Sequence, residues 1–346
     1  MRTALLVFLV SSVSFSSTAC DMGLAYGDPS AVIVVAPEDW WPPLQDSVIA
    51  VLSPDVFTLR AERTFRITYQ APLGLEWQRL QRFKQEVLIG TPDLPWIAEA
   101  LATLHDTVTY GVPGLVQTEN VWARNQKVTI LLVDPDGDIP AQVFPMMDEV
   151  HSILDQRFRD GARIRMYVSG VQQELADSLQ EMAGFSLHLP VVYQWSVVDS
   201  LYIFRNDNPD PAELIRQFGV TWRTPIPTGL TPDSLMDWKE AVSRELYAYP
   251  QAVQREELHT RSLVMGDMTI TEVRGAWSNP PGSSWPAAGP FIFWSVACPE
   301  QNRLYFIDAW LYAPGKEKWE YLLQLETILG SFRCGFQGEL QPRVGD

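Results

Sequence analysis

From Ala31 to Phe332 the chain alternates short, strand-like apolar runs with stretches whose apolar residues recur every three or four positions. This alternation limits the fold more than any other feature. An element with one apolar face must bury it under a second layer, so a chain patterned this way stacks helices on sheets. The expectation is an α+β fold: mixed or mainly antiparallel sheets covered by helices, in two α/β sandwich-like units at 31–169 and 170–335, with 336–346 as a tail.

In the first half, 31–36 (AVIVVA) reads as a buried strand. Residues 63–69 (RTFRITY) alternate, with Phe65, Ile67 and Tyr69 on one face. Trp77, Leu80 and Lys84 share one side of an expected helix that Gly90 ends, and Ile97, Leu101 and Leu104 mark another over 94–104. The run 128–133 (VTILLV) is the clearest strand here. A turn at 134–138 (DPDGD) leads into a helix carrying Val143, Met147, Val150, Leu154 and Phe158 on one stripe. Gly161 is expected to stop that helix, and 163–168 (RIRMYV) to follow as a strand.

The second half opens with a helix around Leu175, Leu179 and Met182, closed by Gly184 as a C-terminal cap. Strands are expected at 185–190 and 197–204. Thr231-Pro232 starts a helix with Leu235, Trp238, Val242 and Leu246 aligned, stopped by Pro250. Residues 268–274 alternate as a strand before a loop at 275–290 (GAWSNPPGSSWPAAGP). Finally 291–297 and 304–312 form a hairpin, and 313–315 (APG) turns the chain into a helix ending near Phe332. That helix must run back toward the hairpin turn to cover the sheet, which brings Cys334 to the level of Cys298. A disulfide is the favoured reading, against two separate buried thiols; closing 36 positions would stabilise by about 3–4 kcal/mol in the chain-entropy model.

The first nineteen residues have the layout of a secretory signal: basic Arg2, an apolar run from Ala4 to Val10, and small residues at 17–19 (STA). Cys20 follows at once. The run resembles a bacterial lipobox, departing from it in having Ser17 where leucine is usual, and a thiol at the first mature position is what acylation requires. The expectation is therefore a signal peptide at 1–19, lipidation of Cys20 and a short tether at 20–30, with an ordinary secreted chain as the alternative. Two or three acyl chains at about 0.8 kcal/mol per buried methylene hold a protein on a bilayer without any spanning segment.

The formal charge of −16, with no basic run, argues against nucleic acid and against electrostatic docking on anionic lipid. The lipid anchor is then the membrane contact. Thirteen tryptophans are many for 346 residues. Packing is the commoner use of such rings; the sharper reading is a surface that stacks sugars or peptides. Within the 275–290 loop, Trp277 and Trp285 form a candidate binding loop, although they equally serve to pin it to the sheet.

Signatures of chemistry are missing. There is no G-x-S-x-G, H-E-x-x-H, C-x-x-C, G-x-G-x-x-G or Walker pattern, and His105, His151, His188 and His259 are scattered. Asp134, Asp136 and Asp138 start like a calcium loop, but Ile139 and Pro145 replace its glycine and glutamate, leaving a strand-to-helix turn capped by Asp138. Asp207 and Asp210 read the same way. No cofactor or metal is expected.

The C-terminal runs 289–291 (GPF), 309–316 (AWLYAPGK) and 322–329 (LLQLETIL), with 120–126 (NVWARNQ) and 274–277 (RGAW), resemble a family of exported lipoproteins of Bacteroidota, domain of unknown function 4837. The resemblance implies a cell-envelope lipoprotein and brings no catalytic residue. At the level of architecture, the last strand feeding a helix that ends in Ser331-Phe332 is similar to the α/β/α sandwiches of the photosystem extrinsic P-subunit type. The functional expectation is a lipid-anchored envelope protein, on the outer membrane by preference, that binds a protein or glycan partner without catalysis. The alternative is a hydrolase of envelope polysaccharide or peptidoglycan that uses paired carboxylates about 5–9.5 Å apart in a groove.

Overall fold

The structure is a computed structural model and describes residues 22–105, 107–283 and 286–335. The signal segment, Cys20, Trp285 and the 336–346 tail lie outside the described residues.

In chain order the elements of the first half are β1 (Ala31–Val35), α1 (Trp41–Leu52), β2 (Asp55–Val56), β3 (Glu62–Arg63), β4 (Arg66–Gln70), α2 (Gly74–Leu80), β5 (Gln85–Gly90), α3 (Pro95–Leu101), β6 (Gly114–Glu119), β7 (Lys127–Leu132), α4 (Ile139–Val143) and α5 (Met147–Met166). There follow α6 (Gln173–Ala183), β8 (Phe185–Ser186), β9 (Gln194–Val198), β10 (Leu201–Asn206), β11 (Ile215–Arg223), α7 (Pro232–Leu246), β12 (Ala252–Met265), β13 (Met268–Ser278), β14 (Ala288–Cys298), β15 (Arg303–Tyr312), α8 (Trp319–Leu329) and β16 (Arg333–Cys334). Helices and mixed or antiparallel sheets together make the α+β class expected.

Two compact units result: the described residues up to Pro43 with Thr68–Val143, and Leu44–Ile67 with the described residues from Phe144 on. The sequence reading placed 31–169 in one unit; the contacts count 44–67 and the long helix α5 with the second instead. Helical period shows which face of a helix is buried but not which sheet covers it.

The first unit holds a five-stranded sheet in the order β4-β1-β5-β7-β6, with β1, β5 and β7 parallel and β6 antiparallel to β7. On one face Trp77 of α2 and Ile97 and Ala100 of α3 pack on Ile33, Val35, Leu88, Ile130 and Leu132. Residues 22–30 differ from the free tether expected. The Ala25 N–H donates to the Arg124 carbonyl at 2.8 Å, the Tyr26 N–H to the Arg82 carbonyl at 3.1 Å and the Lys84 N–H to the Tyr26 carbonyl at 3.0 Å, and the Tyr26 ring meets Phe83 edge-on at 4.9 Å. An apolar Leu-Ala-Tyr run finds both backbone and ring partners here, and that fixes it.

The helix expected across Trp77, Leu80 and Lys84 ends at Leu80, and 85–90 (QEVLIG) is a strand buried at every position. Burial on both faces leaves such a strand without period-2 alternation. Glu86 within it is fully buried: Gln126 Nε2 donates to its Oε1 at 3.0 Å, while Oε2 has no partner among the described residues. Burial pushes this carboxyl well above the usual range, favouring its neutral form.

Two further expectations are corrected. Gly161 does not stop α5, which runs to Met166 and absorbs the strand expected at 163–168. The stripe Val150, Leu154, Phe158, Ala162 continues at a spacing of four across the glycine, and burial of that stripe outweighs a penalty of about 1 kcal/mol for one mid-helix glycine. The strand expected at 197–204 is two, β9 and β10, folded back on each other through Asp199 in the left-handed region (φ 52°). Of the strand expected at 185–190, Phe185–Ser186 pairs with β16 and Pro190 makes an isolated bridge to Val171.

The second unit is built on a seven-stranded antiparallel sheet, β12-β13-β14-β15-β11-β10-β9. Alternation sends Val273, Trp277, Phe293, Phe306 and Trp310 to one face, where Leu235 and Met236 of α7 cover them. Ile270, Ile292, Val296, Ile307, Ala309 and Leu311 point the other way, under Leu175 and Leu179 of α6 and Leu322, Leu325, Ile328 and Leu329 of α8. Each such side chain, taken out of water, stabilises by about 1.5–3 kcal/mol, enough to hold three layers together. Local signals agree: the Thr231 hydroxyl caps α7 and Gly184 ends α6 at φ 72°. The Cys298–Cys334 disulfide is formed, with alpha carbons 6.1 Å apart.

Candidate functional site

Three connections meet at the end of this sheet where β13 leaves and β14 enters: 207–214 before β11, 247–251 after α7, and 279–287 between β13 and β14. Among them opens a cavity of about 240 Å³ lined by Ile215, Tyr249, Trp277, Trp310 and Tyr312, with Ala212, Pro211 and Ala287 at its mouth. Asp210 and Asn279 add the polar edge. The expected 275–290 loop is thus shorter than the sequence suggested, because β13 extends through Ser278 and β14 begins at Ala288.

Trp277 is 1% exposed and sits in the strand, at the floor of the cavity. Its Nε1–H donates to the Leu311 carbonyl at 3.2 Å, and its ring meets Trp310 edge to face at 5.3 Å. Gly289, opposite Trp277 in the β13–β14 register, makes room for this: a β-carbon there would run into the Leu311 oxygen and lie 2.8 Å from Trp277 Nε1. Trp310 Nε1 has no acceptor among the described residues, so packing alone holds that ring. At the rim Tyr249 is 44% exposed, with the Arg205 guanidinium stacked over it at 5.3 Å and itself bonded to Asp207 at 3.1 Å. Asp210 turns the loop by accepting the Ala212 N–H at 2.7 Å.

Behind the floor lies a buried ion pair. The Lys239 ammonium of α7 gives its three protons to Asp308 Oδ1, Asp308 Oδ2 and Gln251 Oε1, each at 2.8 Å, and lies 4.8 Å from the Phe291 ring. Tyr247 donates to Asp308 Oδ2 at 2.9 Å and its ring reaches Trp310 at 6.3 Å, linking the pair to the cavity floor. Burial pulls Lys239 below the usual lysine value against the opposing pull of Asp308, and pushes the Tyr247 phenol well up. With Lys239 side chain at 0% exposure and Asp308 at 5%, the pair is closed to solvent and acts as a pin between helix and sheet.

On the opposite face, Glu272 and Glu326 line a second groove. Both are engaged by arginine, Glu272 by Arg261 and Arg274 and Glu326 by Arg159 and Arg274. Burial alone would raise Glu272, but bonds from Arg274, Arg261 and Trp294 outweigh it and hold the carboxyl below the usual value. A general acid for glycoside hydrolysis needs the reverse shift. Asp138 Oδ1 accepts the Ala141 N–H at 3.1 Å and Asp134 Oδ1 the Asp136 N–H at 3.0 Å, so each of these two carboxylates spends one oxygen on the backbone of the turn. Among the described residues no group of three His, Cys, Asp or Glu is placed to hold a metal ion.

Of the residues singled out in sequence, Trp277 lies in the cavity, Cys298 and Cys334 are joined at the far end of β14, and Cys20 and Trp285 lie outside the described residues. Trp310, Tyr249, Tyr312 and Ile215 were missed. One signal was available: Asp308 in the otherwise apolar run 304–312 (LYFIDAWLY) calls for a buried cation, and its period-2 neighbours Trp310 and Tyr312 share its face.

Residues 172–331 match the model of a family described as a domain of unknown function (DUF4837). No curated protein matches the chain in sequence. Among solved structures, cyanobacterial PsbP (CyanoP) from Synechocystis sp. PCC 6803 is 12% identical with a TM-score of 0.30, over 44% of this chain and 86% of that one. The Ran-binding protein Mog1p of Saccharomyces cerevisiae is 10% identical, also at 0.30, over 44% and 90%.

Proposed function

We propose that this chain is a lipid-anchored cell-envelope protein of the kind found in Bacteroidota, and that its second unit binds a protein partner by seating one apolar side chain in the cavity over Trp277 and Trp310. The family match over 172–331 and the lipobox-like run before Cys20 support the placement. One observation carries the binding role: a preformed, aromatic-floored cavity opens among three loops, the usual place for recognition on a rigid scaffold.

Its chemistry selects the occupant. At about 240 Å³ it is smaller than the roughly 300–1,000 Å³ of drug-sized sites, and it suits a single side chain. A sugar ring would leave most hydroxyls facing Trp277, Trp310, Ile215 and Tyr312, with Asp210 and Asn279 as the polar partners. A leucine, methionine or phenylalanine side chain makes no such demand. The role is binding without catalysis: the cavity holds one carboxylate, Asp210, and the two carboxylates of the opposite groove are tied to arginines.

The test places a photoreactive residue at Ala212 in the full chain in its native membranes and compares cross-links with and without Ala287→Trp, which fills the cavity. Cross-linking to one protein that disappears in the filled variant is expected; an unchanged pattern refutes the binding site. Anchoring is tested apart from it, by labelled fatty acid: label should enter the wild type and be lost in Cys20→Ala, and equal label in both would refute lipidation there.

A further inference from the structure

We propose that the groove between α5, α8 and the β12–β13 edge binds a small oxyanion, a phosphate or carboxylate group, through Arg261 and Arg159. The cavity there is about 520 Å³ and its wall includes Arg159, His259, Thr260, Arg261, Arg274 and Trp319. It lies on the face of the sheet opposite the aromatic cavity, so it is a separate site.

The acceptors inside the groove are used up. Glu272 Oε1 takes Arg261 Nε at 2.6 Å and Arg274 Nε at 2.7 Å, and its Oε2 takes Trp294 Nε1 at 2.8 Å and an Arg274 terminal nitrogen at 3.2 Å. Glu326 accepts from Arg274 at 2.6 Å and Arg159 at 3.1 Å. The donors are not used up. Arg261 spends only Nε on Glu272, and both of its terminal nitrogens are without partners among the described residues. Arg159 spends Nε on Asp155 and one terminal nitrogen on Glu326, and the other is likewise open.

Those two carboxylates, Glu272 buried and Glu326 half-buried, therefore act as splints. They fix two guanidinium planes while the free edges stay turned to other partners, and a fixed fork loses less entropy on binding than a flexible one. The Arg159 guanidinium also lies 5.4 Å from the Trp319 ring, which holds its plane. The three arginines meet Glu272 and Glu326 in the lining and Asp155 beside Arg159, so what the groove offers an anion is the open guanidinium edges rather than a net charge. The His259 ring, held edge-on to Phe57 at 4.8 Å and opposite Arg274 in the β12–β13 register, adds a polar group on the same wall. An oxyanion bound end-on by the Arg261 fork satisfies this arrangement.

Isothermal titration of the full chain in detergent, with inorganic phosphate and separately with citrate, tests the assignment. Saturable binding of either probe is expected, phosphate alone marking a phosphate ligand and citrate alone a carboxylate. Arg261→Gln should weaken it about tenfold, the loss of one charge-assisted pair. Arg261→Lys, keeping charge without the fork, should fall between, and Arg79→Gln in the first unit should bind as the wild type does. Because Arg261 is 57% exposed and Glu272 keeps Arg274, the Gln variant should melt as the wild type does. No saturable binding of either probe, or equal affinity in Arg261→Gln, overturns the proposal.

Discussion

Replacing Lys239 by methionine removes the cation from the pair that pins α7 to β15, and the structure fixes the consequence. Asp308 is buried and accepts three hydrogen bonds, two from Lys239 and one from Tyr247. Without the ammonium, a buried carboxylate keeps one neutral donor. Breaking one side of such a pair costs about 3–5 kcal/mol, against about 0.2–1 for an exposed one. At about 2–4 °C per kcal/mol for a domain of 150–250 residues, the second unit should melt roughly 6–20 °C lower. The double variant Lys239→Met, Asp308→Leu removes both charges and should recover part of the loss. Recovery will be incomplete, because the Tyr247 hydroxyl and the Gln251 amide then lack partners at about 1–3 kcal/mol each. Urea unfolding of the wild type, both single variants and the double variant closes the cycle, with a coupling of at least about 2 kcal/mol expected. Additive effects, with coupling under about 0.5 kcal/mol, would refute the claim that each charge is buried because of the other.

Gly289→Ala should lower the melting temperature and displace the Trp277 ring, because its β-carbon has no room beside Leu311 and Trp277; near-ultraviolet circular dichroism unchanged from wild type would count against this packing. Reducing the Cys298–Cys334 bridge should cost about 3–4 kcal/mol in urea unfolding, and a Cys298→Ala, Cys334→Ala variant should show the same loss without further response to reductant. Glu86, whose folded value is raised by burial, contributes stability that is full below its unfolded value and is lost as pH rises toward the folded one. Glu86→Gln should therefore match the wild type near pH 4 and gain on it in urea midpoint as pH rises to 8, and a relative loss over that range would contradict a carboxyl raised by burial.

What the sequence disclosed and what it hid follow from burial. The terminal hairpin and α8 were legible because 291–297 and 304–312 are long, β-branched and aromatic, bounded by a polar turn, and followed by a helix stripe. Their geometry alone brought Cys298 to Cys334. β12 was invisible for the opposite reason: an edge strand exposed along most of its length carries AVQREELHTRSLVM, charged where it would otherwise invite pairing, and shows no alternation. β5 was misread because both faces are buried, and β11 was passed over, with Arg216 and Gln217 breaking its apolar run. The cavity was half legible. Trp277 was identified from its loop, but Trp310 and Ile215 lie far apart in the chain and meet only through the β11–β15 register, and Tyr249 joins them from the connection after α7.

The RGAW run at 274–277 shows how one short segment serves both faces. Side chains alternate along β13, so Arg274 and Trp277, three apart, point to opposite sides of the sheet. Arg274 braces Glu272 and Glu326 in the polar groove, while Trp277 floors the aromatic cavity. Between them Gly275 faces the α7 side, where a β-carbon would lie 2.6 Å from Leu258 and 2.9 Å from Phe291. That glycine gives Phe291 the space in which its ring meets the Lys239 ammonium. A substitution at either end damages one site. A slip of one residue in the β13–β14 register turns the arginine into the apolar layer and the indole into the groove, so the bonds and packing that fix this register also hold the two sites apart.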